Sequence, residues 1–189
     1  MCIRDRVRQL SKEKRFDYLL IESTGISEPL PVATTFDFRD ENEQSLSDVS
    51  RLDTMVTVVD AANLIRNYSS TDFLKDKGEV AGEADERTLV DLLVEQIEFA
   101  NVILLNKVDL VSEKELKIIR AVIRGLNAKA KIIETNYSKV AMNEVMNTNL
   151  YDLKEAQNHP LWAQELYNPD DHTPDCLLYT SDAADDSLR

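Results

Sequence analysis

Apolar residues fall in short blocks separated by polar turns, and the spacing inside each block predicts an element. Four blocks read as strands: 16–21, 53–60 centred on Met55–Val59, 102–105 and 130–134. Each is too short for a helix, and β-branched or long aliphatic side chains dominate them. Between the strands, apolar positions recur three and four apart. Leu30, Val32, Ala33 and Phe36 predict a helix with Ser27 as N-cap and Pro29 in its first turn. Leu89, Leu92, Leu93, Gln96, Ile97 and Ala100 predict a second over about 85–99. Ser112 with Glu115 three residues on is a capping-box signature, and the helix it opens buries Leu116, Ile119, Val122 and Ile123 before stopping at Gly125. Residues 7–15 read as the last turns of a helix, Asp60 as the cap of a short helix reaching Arg66, and 139–146 and 150–156 as short helices. Residues 37–50 and 67–84 read as irregular.

Strands alternating with helices need crossover connections, so the pattern predicts an α/β fold, a parallel β-sheet flanked by helices. Leu19–Ile21, Val56–Val59, Val102–Leu105 and Ile132–Ile133 are expected at its centre. Three of the four strands end in polar turn residues, which a parallel sheet gathers on one edge.

A chain of 189 residues with 43% hydrophobic and 30% charged content suits one globular domain. The net charge of −13 argues against nucleic acid or an anionic membrane as partner, since both reward clustered Lys and Arg. It leaves room for a nucleotide, whose phosphates need only a local patch. No apolar run approaches the roughly 20 residues of a membrane span and no signal-peptide pattern opens the chain, so a cytoplasmic setting is expected. Cys2 and Cys176 give no metal-ligand spacing, and His159 and His172 read as solvated loop residues. Residues 1–6 and 176–189 carry no periodicity that continues into their neighbours and resemble translated sequencing-adapter DNA. They are read as foreign segments flanking a domain over 7–158 and a Pro-, Asp- and Asn-rich linker over 159–175.

The sharpest chemistry follows the most apolar strand. Asn106-Lys107-Val108-Asp109 is an N-K-x-D sequence, the pattern used to hold guanine. A carboxylate at 109 accepts from the ring N–H and exocyclic amino group of guanine, which adenine cannot match. Asn106 offers an amide to the other edge of the base, and the Lys107 stem can lie along its face. A polar loop after a strand is the plain alternative. The position at the carboxyl end of a buried strand favours the ligand, because open α/β sheets bind ligands there. Glu22-Ser23-Thr24-Gly25 is a second polar turn, with Gly25 free to adopt positive φ or admit a ligand to the backbone. Local pairing of Glu22 and simple turn geometry at Gly25 are the corresponding structural readings, and Asp60 reads as a helix cap rather than a metal ligand.

Three segments together carry a resemblance. Residues 16–29, with their Glu22-Ser23-Thr24-Gly25-Ile26-Ser27-Glu28-Pro29 stretch, Thr57-Val58-Val59-Asp60-Ala61 and Ile103–Leu110 resemble, in this order, the CobW family of GTPases. These are P-loop proteins linked to delivery or insertion of zinc and cobalt. The resemblance covers about 7–175 and implies the distal part of a SIMIBI-type P-loop NTPase domain without its first strand and P-loop. It implies that Glu22 helps organise Mg²⁺ and its water shell, and that Gly25 offers its backbone N–H to the γ-phosphate. Asn106, Lys107 and Asp109 become the guanine reader, with Thr135 and Asn136 in the loop that closes over the base. The family's G-x-x-G-x-G-K-[ST] loop and C-x-C-C metal motif have no counterpart here and are expected upstream; a second, smaller domain is expected beyond 175.

On this reading the parent protein binds GTP or GDP with Mg²⁺, hydrolyses GTP and loads Zn²⁺ or Co²⁺, as cargo, on a metal-requiring client, a role that extends to cobalamin biosynthesis; the 189 residues by themselves are not expected to turn over GTP. The alternative is a pseudo-GTPase, a binding module that kept the sheet and lost the phosphate cradle. A third reading, an unrelated doubly wound nucleotide domain, predicts no preference for guanine over adenine.

Overall fold

The computed structural model describes residues 3–23, 25, 27–37, 39, 44–68 and 89–158. Of the stretch expected to be irregular over 67–84, residues 69–84 lie outside the described residues, as do the start of the helix expected over 85–99, the expected linker over 159–175, the segment over 176–189, His159, His172, Cys2 and Cys176. Six α-helices and three strands are described: α1 Ile3–Glu13, α2 Pro29–Asp37, β1 Val56–Asp60, α3 Ala61–Tyr68, α4 Leu89–Glu98, β2 Val102–Asn106, α5 Glu113–Leu126, β3 Lys131–Thr135 and α6 Leu153–Gln157. Single 3₁₀ turns occupy Leu46–Asp48, Val108–Leu110 and Met142–Glu144.

The sheet is parallel with order β1-β2-β3. β2 is central, and Val102 through Leu105 are buried on both faces, as their unbroken apolar run requires. Ile103, Leu105 and Val59 face a core built from Ala61 and Leu64 of α3, Ile97 of α4, and Leu116, Ile119 and Ile123 of α5. The three strands end in step: Asp60, Asn106 and Thr135 stand side by side on the carboxyl edge. The gathering of polar strand ends is therefore present in three strands.

The fourth strand is not. Residues 16–23 form no ladder. An apolar run specifies burial without naming a partner, and here other contacts claim it. The Tyr18 hydroxyl donates to Asp53 Oδ2 at 3.0 Å. Ile21 packs on a small cluster of Val7, Phe36 and Leu46. Leu20, between them, is left 78% exposed. The expected centre of the sheet narrows accordingly: Val56 and Val58 are exposed rather than buried, and the side of β1 away from β2 has no strand partner among the described residues.

Helix boundaries follow local chemistry. Both halves of the Ser112–Glu115 capping box are made. α5 continues past Gly125 to Leu126 because Asn127 terminates it: the Asn127 backbone N–H donates to Ile123 O at 2.8 Å. The Asn127 amide also donates to the carbonyls of Ile97, Glu98 and Ala100 at the end of α4, while its oxygen accepts from Lys129 and Ala130 before β3. One side chain thus closes α4 and launches β3. Within 139–146, where a short helix is expected, only Met142–Glu144 forms a 3₁₀ turn, and the loop over 37–50 holds another, opened by a Ser45–Asp48 capping box. α1 runs without a break from Ile3 through residues 6 and 7 to Glu13. Among the described residues no helix is long and apolar enough to cross a membrane.

Asp53 is the buried anchor at the entry to β1. Burial alone would raise its pKa, but the backbone N–H groups of Asn149 and Thr148, the Tyr18 hydroxyl and Arg51 together hold it below the ordinary carboxylate value. The charged form therefore stabilises the fold above the unfolded-state pKa of about 3.9 and loses that contribution as pH falls through the lower folded-state value. Asp53→Ala, which removes the acceptor from two part-buried N–H donors, is expected to cost roughly 1–3 kcal/mol in urea denaturation at pH 7, and less as the pH is taken below 3. Gly125 offers the opposite case. A Cβ built there meets nothing within 4 Å and its φ lies outside the left-handed region. Gly125→Ala is expected to stabilise the protein by about 0.5–1 kcal/mol, measured in the same assay.

Candidate functional site

Strand β2 delivers Asn106 to the carboxyl edge, and the chain then turns sharply. Lys107 takes left-handed dihedrals, φ 62° and ψ 36°, which cost a non-glycine residue roughly 1–2 kcal/mol. The 3₁₀ turn Val108–Leu110 follows, with Val108 and Val111 packed down on the main core. This anchors the loop from beneath and leaves Asp109 and Leu110 exposed.

Two asparagines tie that loop to the one after β3. Asn106 Oδ1 accepts from the Ser138 backbone N–H at 2.9 Å and from Thr135 Oγ at 3.3 Å. Asn136 Oδ1 accepts from the Asp109 backbone N–H at 3.2 Å. A backbone N–H can only donate, so it fixes the Asn106 oxygen inward and leaves the amino group as a donor to solvent or ligand. The Asp109 carboxylate takes no hydrogen bond among the described residues. A half-open depression of about 270 Å³ results, lined by Asn106, Lys107, Asp109, Leu110 and Tyr137. It presents an amide donor, an unpartnered carboxylate and apolar walls, the set a purine with a donor edge and an acceptor edge needs.

The sequence-predicted residues divide into two groups. Asn106, Lys107, Asp109, Thr135 and Asn136 come together, the last two as braces. Glu22 and Gly25 do not line the depression. The Gly25 and Ser27 carbonyls instead accept from the Gln96 side chain of α4 at 2.9 and 3.0 Å. Gln96 is itself tied by its carbonyl to Thr57, three residues before the end of β1. Gly25 has φ outside the left-handed region and open space where a Cβ would go, so this turn does not require glycine for its own geometry. Glu22 is exposed. Among the described residues no group of three His, Cys, Asp or Glu side chains is placed to hold a metal ion. Glu22 is a single carboxylate, and Mg²⁺ usually keeps several waters and binds through one or two carboxylates together with phosphate oxygens.

Asp60 does more than its expected capping. Its Oδ1 accepts from the N–H groups of Ala62 and Asn63 at the start of α3, while Oδ2 receives Lys107 Nζ at 2.7 Å. Partial burial opposes ionisation, yet the bonds from Lys107 and Asn63 hold its pKa below the ordinary value. Tyr137 is the other residue that sequence reasoning left without a part. Asp60 can be found only once β1 is known to lie beside β2; Tyr137 follows Asn136 directly but belongs to no motif.

A double-mutant cycle between Asp60 and Lys107, read by urea denaturation, is expected to return a coupling of about 0.2–1 kcal/mol, as for other solvent-facing pairs. Asp60→Ala alone is expected to cost more, roughly 1–2 kcal/mol, because it also uncaps α3. A coupling of zero would mean that the pair adds no net stability to the fold.

Comparison with known proteins fits this geometry. The profile of the CobW/HypB/UreG nucleotide-binding domain matches residues 3–134. The chain is 51% identical over 174 residues to the zinc-regulated GTPase metalloprotein activator 1 of Dictyostelium discoideum, covering 92% of this chain and 36% of that protein. It is 33% identical over 150 residues to the protein of that name in Schizosaccharomyces pombe, covering 79% and 31%. It is 27% identical over 172 residues to the zinc chaperone CobW of a Sinorhizobium species, covering 86% and 47%. The chain thus spans between about a third and a half of the length of these relatives. No solved structure matches. An N-K-x-D loop on the central strand of a parallel sheet, inside a profile match that takes in most of the chain, establishes that the chain belongs to the CobW/HypB/UreG nucleotide-binding domain family.

Proposed function

We propose that this chain supplies the guanine-binding part of a GTPase that delivers a metal ion to a client protein. The observation that carries the reading is the pairing at the pocket of an Asp109 carboxylate without a protein partner and an Asn106 amide whose oxygen is already committed. A guanine base answers both. Its N1–H and amino group donate to Asp109, and N7 accepts from Asn106. The names of the relatives support zinc as the metal; cobalt is the second candidate.

Hydrolysis belongs to the whole protein. It would proceed by in-line attack of water on the γ-phosphate, with positioning and charge stabilisation supplying most of the catalysis. Mg²⁺ bound there would neutralise charge on the phosphates. Glu22 and Gly25 are assigned to the phosphate-sensing switch by resemblance. A cytoplasmic setting is part of the same proposal, resting on the chain's composition.

Replacing Asp109 tests the reading directly. Two hydrogen bonds to a charged acceptor are worth roughly 1.5–3 kcal/mol each, so Asp109→Ala is expected to weaken GDP binding by about a hundredfold or more in calorimetric titration. Asp109→Asn presents one acceptor and one donor, the complement of xanthine, and is expected to prefer XDP to GDP. Unchanged GDP affinity in both variants would overturn the guanine assignment.

A further inference from the structure

We infer that Tyr137 is the stacking wall of the base pocket, the residue that covers a face of the bound purine; the inference rests on the guanine reading above and adds a residue that no motif contains.

Three observations converge on it. Tyr137 lines the depression together with Asn106, Lys107, Asp109 and Leu110. Its side chain is 85% exposed, and its hydroxyl makes no hydrogen bond among the described residues, so the fold gains little from having an aromatic ring there. The backbone that carries it is also costly: Tyr137 and Ser138 are consecutive non-glycine residues at φ 56° and 52°. Such a pair persists only where neighbouring contacts over-determine it. The contact that does so is the Ser138 N–H to Asn106 Oδ1 bond at 2.9 Å, made by the same asparagine that offers its amide to the base. The reader and the ring are thus set by a single side chain.

The physical role follows from the shape of the ligand. Asp109 and Asn106 address the edges of a purine, which fixes its plane, and the Lys107 stem can lie along one face, which leaves the other face open. A flat ring at the rim can lie on that face, as aromatic side chains do with nucleic-acid bases generally. Leu110, 64% exposed on the facing loop and lining the same depression, supplies further apolar surface. Stacking does not distinguish one purine from another. Tyr137 therefore contributes affinity, while Asp109 contributes the choice of guanine.

The test is GDP and ADP titration of the full chain in parent, Tyr137→Ala, Tyr137→Phe and Asp109→Ala forms, with circular dichroism to show that each is folded. Because the ring is solvent-exposed, its removal is expected to leave the fold intact. Tyr137→Ala is expected to weaken GDP binding about tenfold and to leave the GDP-to-ADP ratio unchanged, while Tyr137→Phe stays within about twofold of the parent. Asp109→Ala is expected to collapse that ratio. In Tyr137→Trp, read against Tyr137→Phe, added GDP is expected to quench the new indole emission. If Tyr137→Ala binds GDP as tightly as the parent while Asp109→Ala does not, the stacking inference falls and the guanine reading stands. If Asp109→Ala also binds as before, or the parent shows no preference for GDP over ADP, the guanine reading falls and the stacking inference with it.

Discussion

The in-register parallel pairing of β2 with a strand on each side is the constraint from which the site follows. Val102 to Leu105 are buried on both faces, so a slip of one residue would carry the strand ends out of line and change which side chains meet the helices. With the register held, Asp60, Asn106 and Thr135 end together. Three polar side chains from positions far apart in the chain then share one edge, and the loops that follow them can brace one another.

That bracing is electrostatically economical. Asn106 and Asn136 each spend an oxygen on a backbone N–H of the opposite loop, so the two loops are cross-linked without using the groups that a ligand would need. Asp60 draws Lys107 toward β1 while capping α3. The left-handed residues at 107, 137 and 138 are the strained counterpart. They are tolerated because hydrogen bonds on both sides leave the backbone little alternative, and they aim side chains that would otherwise follow the regular turn. The pocket is therefore largely pre-formed, which reduces the ordering cost that binding has to meet.

The run from Phe16 to Ile21 illustrates how weakly an apolar run specifies its own destination. It has strand composition, yet a Tyr18–Asp53 hydrogen bond, the docking of Ile21 and the Gln96 contacts to Gly25 and Ser27 settle it elsewhere than in the sheet. Each of these contacts is modest on its own. Together they compete with a ladder that needs an available strand edge in the right register, and Leu20 is left in water as the visible cost.

The amino-acid sequence alone determined the α/β class, β1, β2 and β3 to within a few residues, the α5 capping box and the N-K-x-D pocket residues. These are local signals: apolar periodicity, cap chemistry and a motif confined to four positions. Only the tertiary structure decided that Asp60 lies beside Asn106, that Asn127 rather than Gly125 ends α5, that Tyr137 reaches the pocket, and that residues 16–23 stay out of the sheet. Each of those depends on which strand pairs with which and on hydrogen bonds between residues far apart in the chain, and a one-dimensional pattern carries no record of either.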